Sequence, residues 1–527
     1  MTALFCCPIC HAYQGEDLGE HIRKVHGEES FRAVVLMAKQ SGMPDARIGE
    51  IFRITFRQLE RIVTEAYGAN VSTLKRRPKR ITAWEPKGFR EETTTVWSYP
   101  QRGNWATHHG GYRGNWSPYI PRNVILKYSK PGEVVLDYFV GGGTTAIEAK
   151  LLRRRCIARD INPVCVAMTK EHLDFVPPAG LFDGEPFWEP DVSVGDARNL
   201  EGIGDSTIDL ICAHPPYAGI INYSSAIQGD LSALEIEAFL GEMRKVAQES
   251  FRVLKPGRKC AILIGDTRKR KHVVPIGFRL IQVFLDTGFR LKELVIKRQH
   301  NCKTTGFWKE KSVLYNFLLL AHEYLPIFEK PENGESPRFS DSLSGPGIVA
   351  QDVHLTCTHN IDLEATSVWI FPEDQYDSCL DTNILRRYHR GGKYRAFALG
   401  FAARGREVPT LGLSEPLSLL VIKSPLLAEA KDRASVFSYL SFVRDFVSRN
   451  IVLLLPGAFL VVETQDVRVD GYIEPLGLQI VNSLNHERLW LKEIVIVVRE
   501  NQHLAPLGDQ KELAIVHRYL LVYEVLK

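Results

Sequence analysis

The chain has 527 residues, a formal net charge of +4, 45% apolar residues and 24% charged residues. Those values exclude a disordered or fibrous chain and leave room for roughly two to four domains with buried cores. So small a net charge also excludes a uniformly basic nucleic-acid coat, so any attraction to polyanions must come from local patches.

Three of the ten cysteines fall in the first ten residues, and the other seven are scattered without a paired framework. That usage fits a reducing, cytoplasmic setting. The apolar start is too short for a signal peptide. The most apolar stretch, Ile451 to Val462, holds Pro456 and Gly457 and is too short to span a bilayer. It reads as a buried strand, and no membrane partner is expected.

Residues 1–27 are expected to form a small module. Cys7-x2-Cys10, ten residues, then His21-x4-His26 is a two-cysteine, two-histidine metal spacing. Glu20 to Gly27 resembles the helix end of a zinc finger. The resemblance implies a structural zinc on Cys7, Cys10, His21 and His26, with Cys6 and His11 as alternative ligands. Residues 28–79 read as helical. Ile48, Phe52, Ile54, Leu59 and Ile62 suit a helix, a tight turn near Arg53 and a second helix from Thr55 to Ala66. This resembles a helix-turn-helix presenting Arg57, Gln58 and Arg61, with a plain helical hairpin as the alternative. Two basic runs, Lys75 to Arg80 and Arg268 to Lys271, are either nucleic-acid contacts or solvated segments. Finger, helix pair and basic run in tandem argue for DNA as partner.

Residues 80–325 alternate strand and helix patterns. Glu133 to Asp137 predicts a strand, Gly141-Gly142-Gly143 a turn, and Thr144 to Leu152 a helix. Such a turn lets backbone approach a ligand and aims helix N–H groups at it. The pattern is neither Gly-x-Gly-x-x-Gly nor Gly-Lys-Ser/Thr, which argues against a dinucleotide fingerprint and a phosphate loop. Asp160 ends a second predicted strand, Cys156 to Ala158. It is placed either to accept ribose hydroxyls or to cap a helix. A third strand, Asp191 to Val194, leads to Asp196, which could accept from an adenine amine. Three acidic strand ends suggest one nucleoside pocket.

The apolar run Ile208 to Ala213 ends in His214-Pro215-Pro216-Tyr217. An amine on an aromatic base is a poor nucleophile, because its lone pair is delocalised into the ring. The first side chain and the Pro215 carbonyl can accept the two amine hydrogens and favour a pyramidal nitrogen. The two prolines hold that carbonyl in place, and Tyr217 offers a face for an extruded base. A neutral imidazole has one acceptor nitrogen, so His214 can serve without a negative charge.

Val135 to Thr145 is similar to the S-adenosylmethionine motif of the amino-methylating DNA methyltransferases. That family usually has Asp-Pro-Phe where this chain has Asp137-Tyr138-Phe139. Asp160-Ile161-Asn162-Pro163 and Gly195-Asp196-Ala197 resemble the family's next motifs. His214 to Tyr217 resembles its catalytic motif, which normally opens with Asp, Asn or Ser. Tyr112 to Pro121 lies where the family carries a helix that closes over the methionine end. The resemblance runs from about residue 94 to 325. It implies an α/β, Rossmann-like, doubly wound sheet. It implies S-adenosylmethionine held by Asp137, Tyr138, Phe139, Gly141, Gly143, Thr144, Thr145, Asp160, Asn162, Asp196 and Ala197. It further implies site-specific methylation of adenine N6 or cytosine N4 in DNA, with His214, Pro215, Pro216 and Tyr217 as the catalytic set. An RNA base methyltransferase and a non-catalytic DNA-binding regulator with a vestigial core are the alternatives. A restriction or defence partner is compatible with the resemblance, but no segment here encodes one.

Residues 326–349 read as a linker, and 350–527 as a degenerate methyltransferase-like copy. Val253 to Gly257 recurs as Leu453 to Gly457. Asp266, Arg268, Pro275 and Gly277 recur as Asp466, Arg468, Pro475 and Gly477, and Leu291-Lys292-Glu293 as Leu491-Lys492-Glu493. Val96-Trp97 with Pro100 is echoed by Val368-Trp369 with Pro372. The catalytic tetrapeptide has become Lys423-Ser424-Pro425-Leu426 and no glycine turn precedes it. The second copy is therefore expected to have lost cofactor binding and to retain only the later strands and helices.

Overall fold

The structure is a computed structural model that describes residues 5–15, 17–41, 43–67, 81, 83–108, 110–112, 114–175, 188–218, 227, 229–300, 305–332, 345–402, 416–430, 432–500 and 512–526. It divides into two compact units. Unit 1 comprises Met1–Arg90 and Gln101–Arg258, and unit 2 comprises Glu91–Pro100 and Lys259–Lys527.

Unit 1 opens with an antiparallel pair, β1 (Phe5–Cys6) and β2 (Gln14–Gly15). Among the described residues three helices follow: α1 (Leu18–Gln40), α2 (Asp45–Phe52) and α3 (Phe56–Tyr67). The Asp17 carboxylate caps α1 by accepting from the Glu20 N–H at 3.0 Å. Gly27 (φ 84°, ψ 166°) breaks α1 in two, close to the boundary expected at residue 27. The turn between α2 and α3 is centred on Arg53, which is left-handed at φ 48°. The expected second helix from Thr55 thus begins at Phe56. Cys7, Leu18, Ile22, Phe31, Ile48, Phe52, Leu59 and Ile62 share one buried core. The metal-spaced segment and the helices therefore pack as one body rather than two. Gln58 and Arg61 are exposed. The Arg57 side chain and the run Lys75 to Arg80 lie outside the described residues.

The rest of unit 1 is α/β. Leaving aside β3 (Val96–Ser98), which belongs to unit 2, its elements are α4 (Tyr119–Tyr128), β4 (Val134–Asp137), α5 (Thr144–Leu151), β5 (Arg155–Asp160), α6 (Pro163–His172), β6 (Asp191–Val194), β7 (Ile208–Ala213) and α7 (Ile236–Val253). The strands are parallel and ordered β7-β4-β5-β6. The order reverses at β4, which makes the sheet doubly wound as expected. β7 is buried along its whole length, as an apolar run between covered faces should be. The segment expected to close over the methionine end is not helical at its start. Helix begins only at Tyr119, and Tyr112 and 114–118 form a loop. The Arg102 guanidinium holds it by donating to the Asn115 carbonyl at 2.6 Å, and the Ser117 hydroxyl donates to the Arg102 carbonyl at 2.9 Å.

The chain passes into unit 2 within β8 (Leu254–Ile262), which starts directly at the end of α7, with no turn between. Then come β9 (Ile264–Gly265), β10 (Thr267–Lys269), β11 (His272–Val274), α8 (Ile276–Asp286), β12 (Arg290–Arg298), α9 (Thr305–Leu314) and β13 (His322–Glu329). The expected linker is shorter than 326–349. Pro326 to Glu329 pair in β13, and the next strand, β14 (Gly347–Val353), starts before residue 349. The second copy follows as β15 (Val368–Phe371), α10 (Tyr376–Tyr388), β16 (Lys393–Ala402), β17 (Leu417–Lys423), α11 (Arg433–Asn450), β18 (Leu454–Thr464), β19 (Val467–Val469), β20 (Tyr472–Glu474), α12 (Leu476–Ser483), β21 (Leu489–Arg499) and β22 (His517–Val525). Its sheet is ordered β14-β16-β17-β18-β22-β21-β15. The copy keeps more than its later elements. β16 pairs parallel with β17 as β4 does with β7, and antiparallel β14 takes the place β5 has in the first copy. Among the described residues between β16 and β17 nothing corresponds to α5, β5, α6 and β6.

Within unit 2 the two copies contact each other through equivalent residues. Arg268 pairs with Glu493, and Arg468 pairs with Glu293. Thr95 Oγ1 meets His517 Nδ1 at 2.8 Å, and Ser367 Oγ meets His322 Nδ1 at 2.8 Å. The Leu318 N–H donates to Glu493 at 3.0 Å, and the Leu513 N–H to Glu293 at 3.2 Å. Contact of i with j and of j with i is the signature of a two-fold interface, here made inside one chain.

Candidate cofactor and base pocket

The expected site residues cluster where parallel strands end. Asp137 closes β4, Asp160 closes β5, Asp196 follows β6 and His214 follows β7. Beyond those ends lies a cavity that opens to solvent. Tyr138, Phe139, Gly141, Asp160, Asn162, Asp196, Ala197, His214, Pro215 and Pro216 all line it. Asp137, Gly143, Thr144, Thr145 and Tyr217 are not part of the lining.

The glycine turn has local reasons. Gly143 sits at φ 85° as the residue before α5, and Gly141 at φ 50°, a region L side chains disfavour. A Cβ on Gly141 would also come 2.8 Å from the Tyr112 ring. The Asp160 carboxylate ties the turn to β5 by accepting from the Gly141 N–H and the Asn162 N–H, each at 2.9 Å. Asn162 caps α6 through the Val164 N–H. Thr144 Oγ1 donates to Asn115, joining the loop ahead of α4 to the start of α5.

Burial pushes the Asp137 carboxyl up to about 7 and the Asp160 carboxyl up to about 6. Burial would raise Asp196 as well, but hydrogen bonds and charge from Arg198 take it below the usual carboxylate range. Tyr138, the departure from the family's proline, is buried and bonds Ser250 through its hydroxyl at 2.8 Å. That polar anchor accounts for a tyrosine where a proline is usual.

At the other end of the cavity the Trp116 ring stacks on His214, with centroids 5.6 Å apart and planes 25° apart. His214 Nε2 lies 3.0 Å from the Tyr217 hydroxyl. Trp116 is legible in the sequence only as part of a resembling segment, not as a ring on the catalytic imidazole. Asp230, Leu231 and Ile227 also line the cavity, and no sequence motif marks them.

A second cluster lies in the N-terminal body. The ligand atoms of Cys7, Cys10, His21 and His26 all fall within 4.8 Å of one another. Cys10 Sγ is 3.5 Å from His21 Nε2, and Cys7 Sγ is 3.7 Å from His26 Nε2. Ordinary zinc–sulfur and zinc–nitrogen bonds at tetrahedral angles put such atoms about 3.6 Å apart. The four expected residues therefore fit a zinc ion, and Cys6 and His11 fall outside the cluster. Hydrogen bonds from the Ala12 backbone, then from His26 and His21, lower the Cys10 thiol to about 5.

Residues 36–171 match the family model N6_N4_Mtase, described as DNA methylase. Over this region the chain is similar to the amino-methylating DNA methylases. The chain is 28% identical over 130 residues to the orphan methyltransferase M.BamHII of Bacillus amyloliquefaciens, covering 25% of this chain and 41% of that protein. It is 30% identical over 91 residues to the type II methyltransferase M.SmaI of Serratia marcescens, covering 17% and 30%. It is also 36% identical over 107 residues to the tRNA (guanine(10)-N2)-dimethyltransferase of Methanothermobacter thermautotrophicus, covering 20% and 29%. The chain thus spans well under half the length of these curated relatives. Among the described residues no helix is long and apolar enough to cross a membrane.

Proposed function

We propose that this chain transfers a methyl group from S-adenosylmethionine to the exocyclic amine of adenine or cytosine in DNA. One observation carries the reading: the Gly141 and Asp160 half-site and His214-Pro215-Pro216 line a single cavity. Bound there, S-adenosylmethionine supplies an electrophilic methyl on a positively charged sulfur. Asp160 is placed to accept from ribose hydroxyls, and Asp196 lies on the wall suited to an adenine amine. Trp116, on the cavity wall, offers an aromatic face for an extruded base, and Tyr217, off the lining, contacts His214. The imidazole of His214 must present a bare nitrogen to the amine. In the tautomer whose Nε2–H donates to the Tyr217 oxygen, Nδ1 is that acceptor. Transfer then follows from positioning of amine and methyl in line.

Zinc on Cys7, Cys10, His21 and His26 belongs to the same proposal, as a staple of the N-terminal body. That body, with Gln58 and Arg61 exposed on α3, is assigned to duplex DNA. A restriction or defence setting belongs to the same proposal as its context. Similarity to a tRNA dimethyltransferase favours RNA as the second reading. Labelled methyl transfer to duplex DNA and to structured RNA, in parallel, separates the two. Label on DNA and its loss in His214→Ala support the proposal, and label on RNA alone overturns it.

A further inference from the structure

Two hairpins occupy equivalent places in the two copies of unit 2. In the first, Lys269 pairs with His272, leaving Arg270-Lys271 as a two-residue tip. In the second, Val469 pairs with Tyr472 around Asp470-Gly471. Both tips are left-handed at both positions: φ is 50° and 69° in the first and 51° and 78° in the second. Such turns strongly favour Asn-Gly or Asp-Gly, and the second copy has that sequence. The first copy holds two long cationic side chains in a backbone region that L residues avoid. The second copy demonstrates that the hairpin forms without them.

The surroundings differ as well. The second tip is held from outside its hairpin, its Gly471 carbonyl accepting from Lys292 at 2.7 Å and Asp470 lying 3.5 Å from Arg433, whereas the first is held within its own hairpin, the Lys271 carbonyl accepting from Arg268 at 3.2 Å and His272 Nδ1 lying 3.0 Å from the Arg270 carbonyl. At the first tip Lys269, Arg270 and Lys271 are exposed. Lys271 Nζ lies 5.3 Å from the ring centre of Tyr315, which is 53% exposed. Exposed Trp308 stands on the same segment with Lys311 5.0 Å from its ring. Exposed cations on a two-residue tip match the chemistry of a phosphate backbone.

We infer that the Arg270-Lys271 tip binds the phosphate backbone of duplex DNA and is retained in a strained turn for that purpose. The inference rests on DNA being the substrate. Its test is the full-length chain carrying Arg270→Asn and Lys271→Gly together, which installs a favoured tip and removes two charges. Tm should rise, and S-adenosylmethionine affinity should not change. Duplex affinity should fall, and the slope of log K against log salt should flatten by about 1.8, at about 0.9 for each phosphate no longer neutralised. The charge-preserving pair Arg270→Lys and Lys271→Arg should keep the wild-type slope. If the wild type binds duplex and the Asn-Gly variant keeps its affinity and slope, the tip assignment is overturned while the substrate reading stands. If the wild type binds no duplex, both fall. A loss confined to structured RNA would also overturn it.

Discussion

Arg468 donates to the fully buried carboxylate of Glu293 at 2.6 Å, and Arg268 does the same for Glu493 of the other copy. A buried carboxylate that loses its cation is left uncompensated, at a cost of about 3–5 kcal/mol. Arg468→Ala should therefore lower unfolding stability by about 3 kcal/mol, read as a shift in the urea midpoint. Pairing Arg468→Met with Glu293→Leu should recover most of that loss. An unshifted midpoint in the single variant would show that the pair does not hold unit 2 together.

Buried carboxyls set a pH dependence. Burial raises Asp137, Asp266 and Asp466 to about 7 each. A carboxyl raised on folding binds its proton more tightly in the native state. Its contribution is complete below the unfolded value near 3.8 and is lost as pH rises through about 7. Asp266→Asn with Asp466→Asn should therefore gain Tm relative to wild type as pH rises from 5 to 8. A Tm difference between variant and wild type that stays constant across that interval would contradict the assignment.

Much of this site is legible in the residues, and the reason is local. Gly141 to Thr145, Asp160 and His214 to Tyr217 each sit at a strand end whose apolar run is visible in sequence, and parallel pairing brings such ends together. Cys7, Cys10, His21 and His26 are legible because a strand pair and one helix fix their spacing. Trp116 and Asp230 are not, since they come from loops with no periodicity and reach the cavity only through tertiary packing. The pairing of Arg268 with Glu493 is likewise hidden. The sequence repeat identifies equivalent residues, but it carries no information that the copies would pack face to face. Retention of β16 escapes the sequence because that strand has lost the glycine turn that marks β4.

The stacked pair Trp116 and His214 gives a kinetic prediction. Stacking against an extruded base is worth about 1–3 kcal/mol. Trp116→Ala should raise the KM for DNA roughly tenfold or more, on that basis. The Kd for S-adenosylmethionine should change little, because Asp160 and the glycine turn remain. Equal losses in both would place Trp116 with the cofactor instead.

The cysteine–histidine cluster predicts one zinc per chain in protein purified without chelator, measured by elemental mass spectrometry. Cys10→Ser should abolish that zinc and loosen residues 5–67, seen as faster amide exchange there, while S-adenosylmethionine binding persists. Metal-free wild-type protein with full exchange protection would remove zinc from the account.

In the proposed reaction, His214-Pro215-Pro216-Tyr217 positions an exocyclic base amine of DNA for methylation. Mass spectrometry of nucleosides, from duplex DNA incubated with the full-length chain and isotopically labelled S-adenosylmethionine, tests it most directly. Labelled N6-methyladenosine or N4-methylcytidine as the deoxynucleoside, lost with His214→Ala, is the predicted result. Label on cytosine C5, or no label with a cofactor-binding wild-type protein, would contradict it.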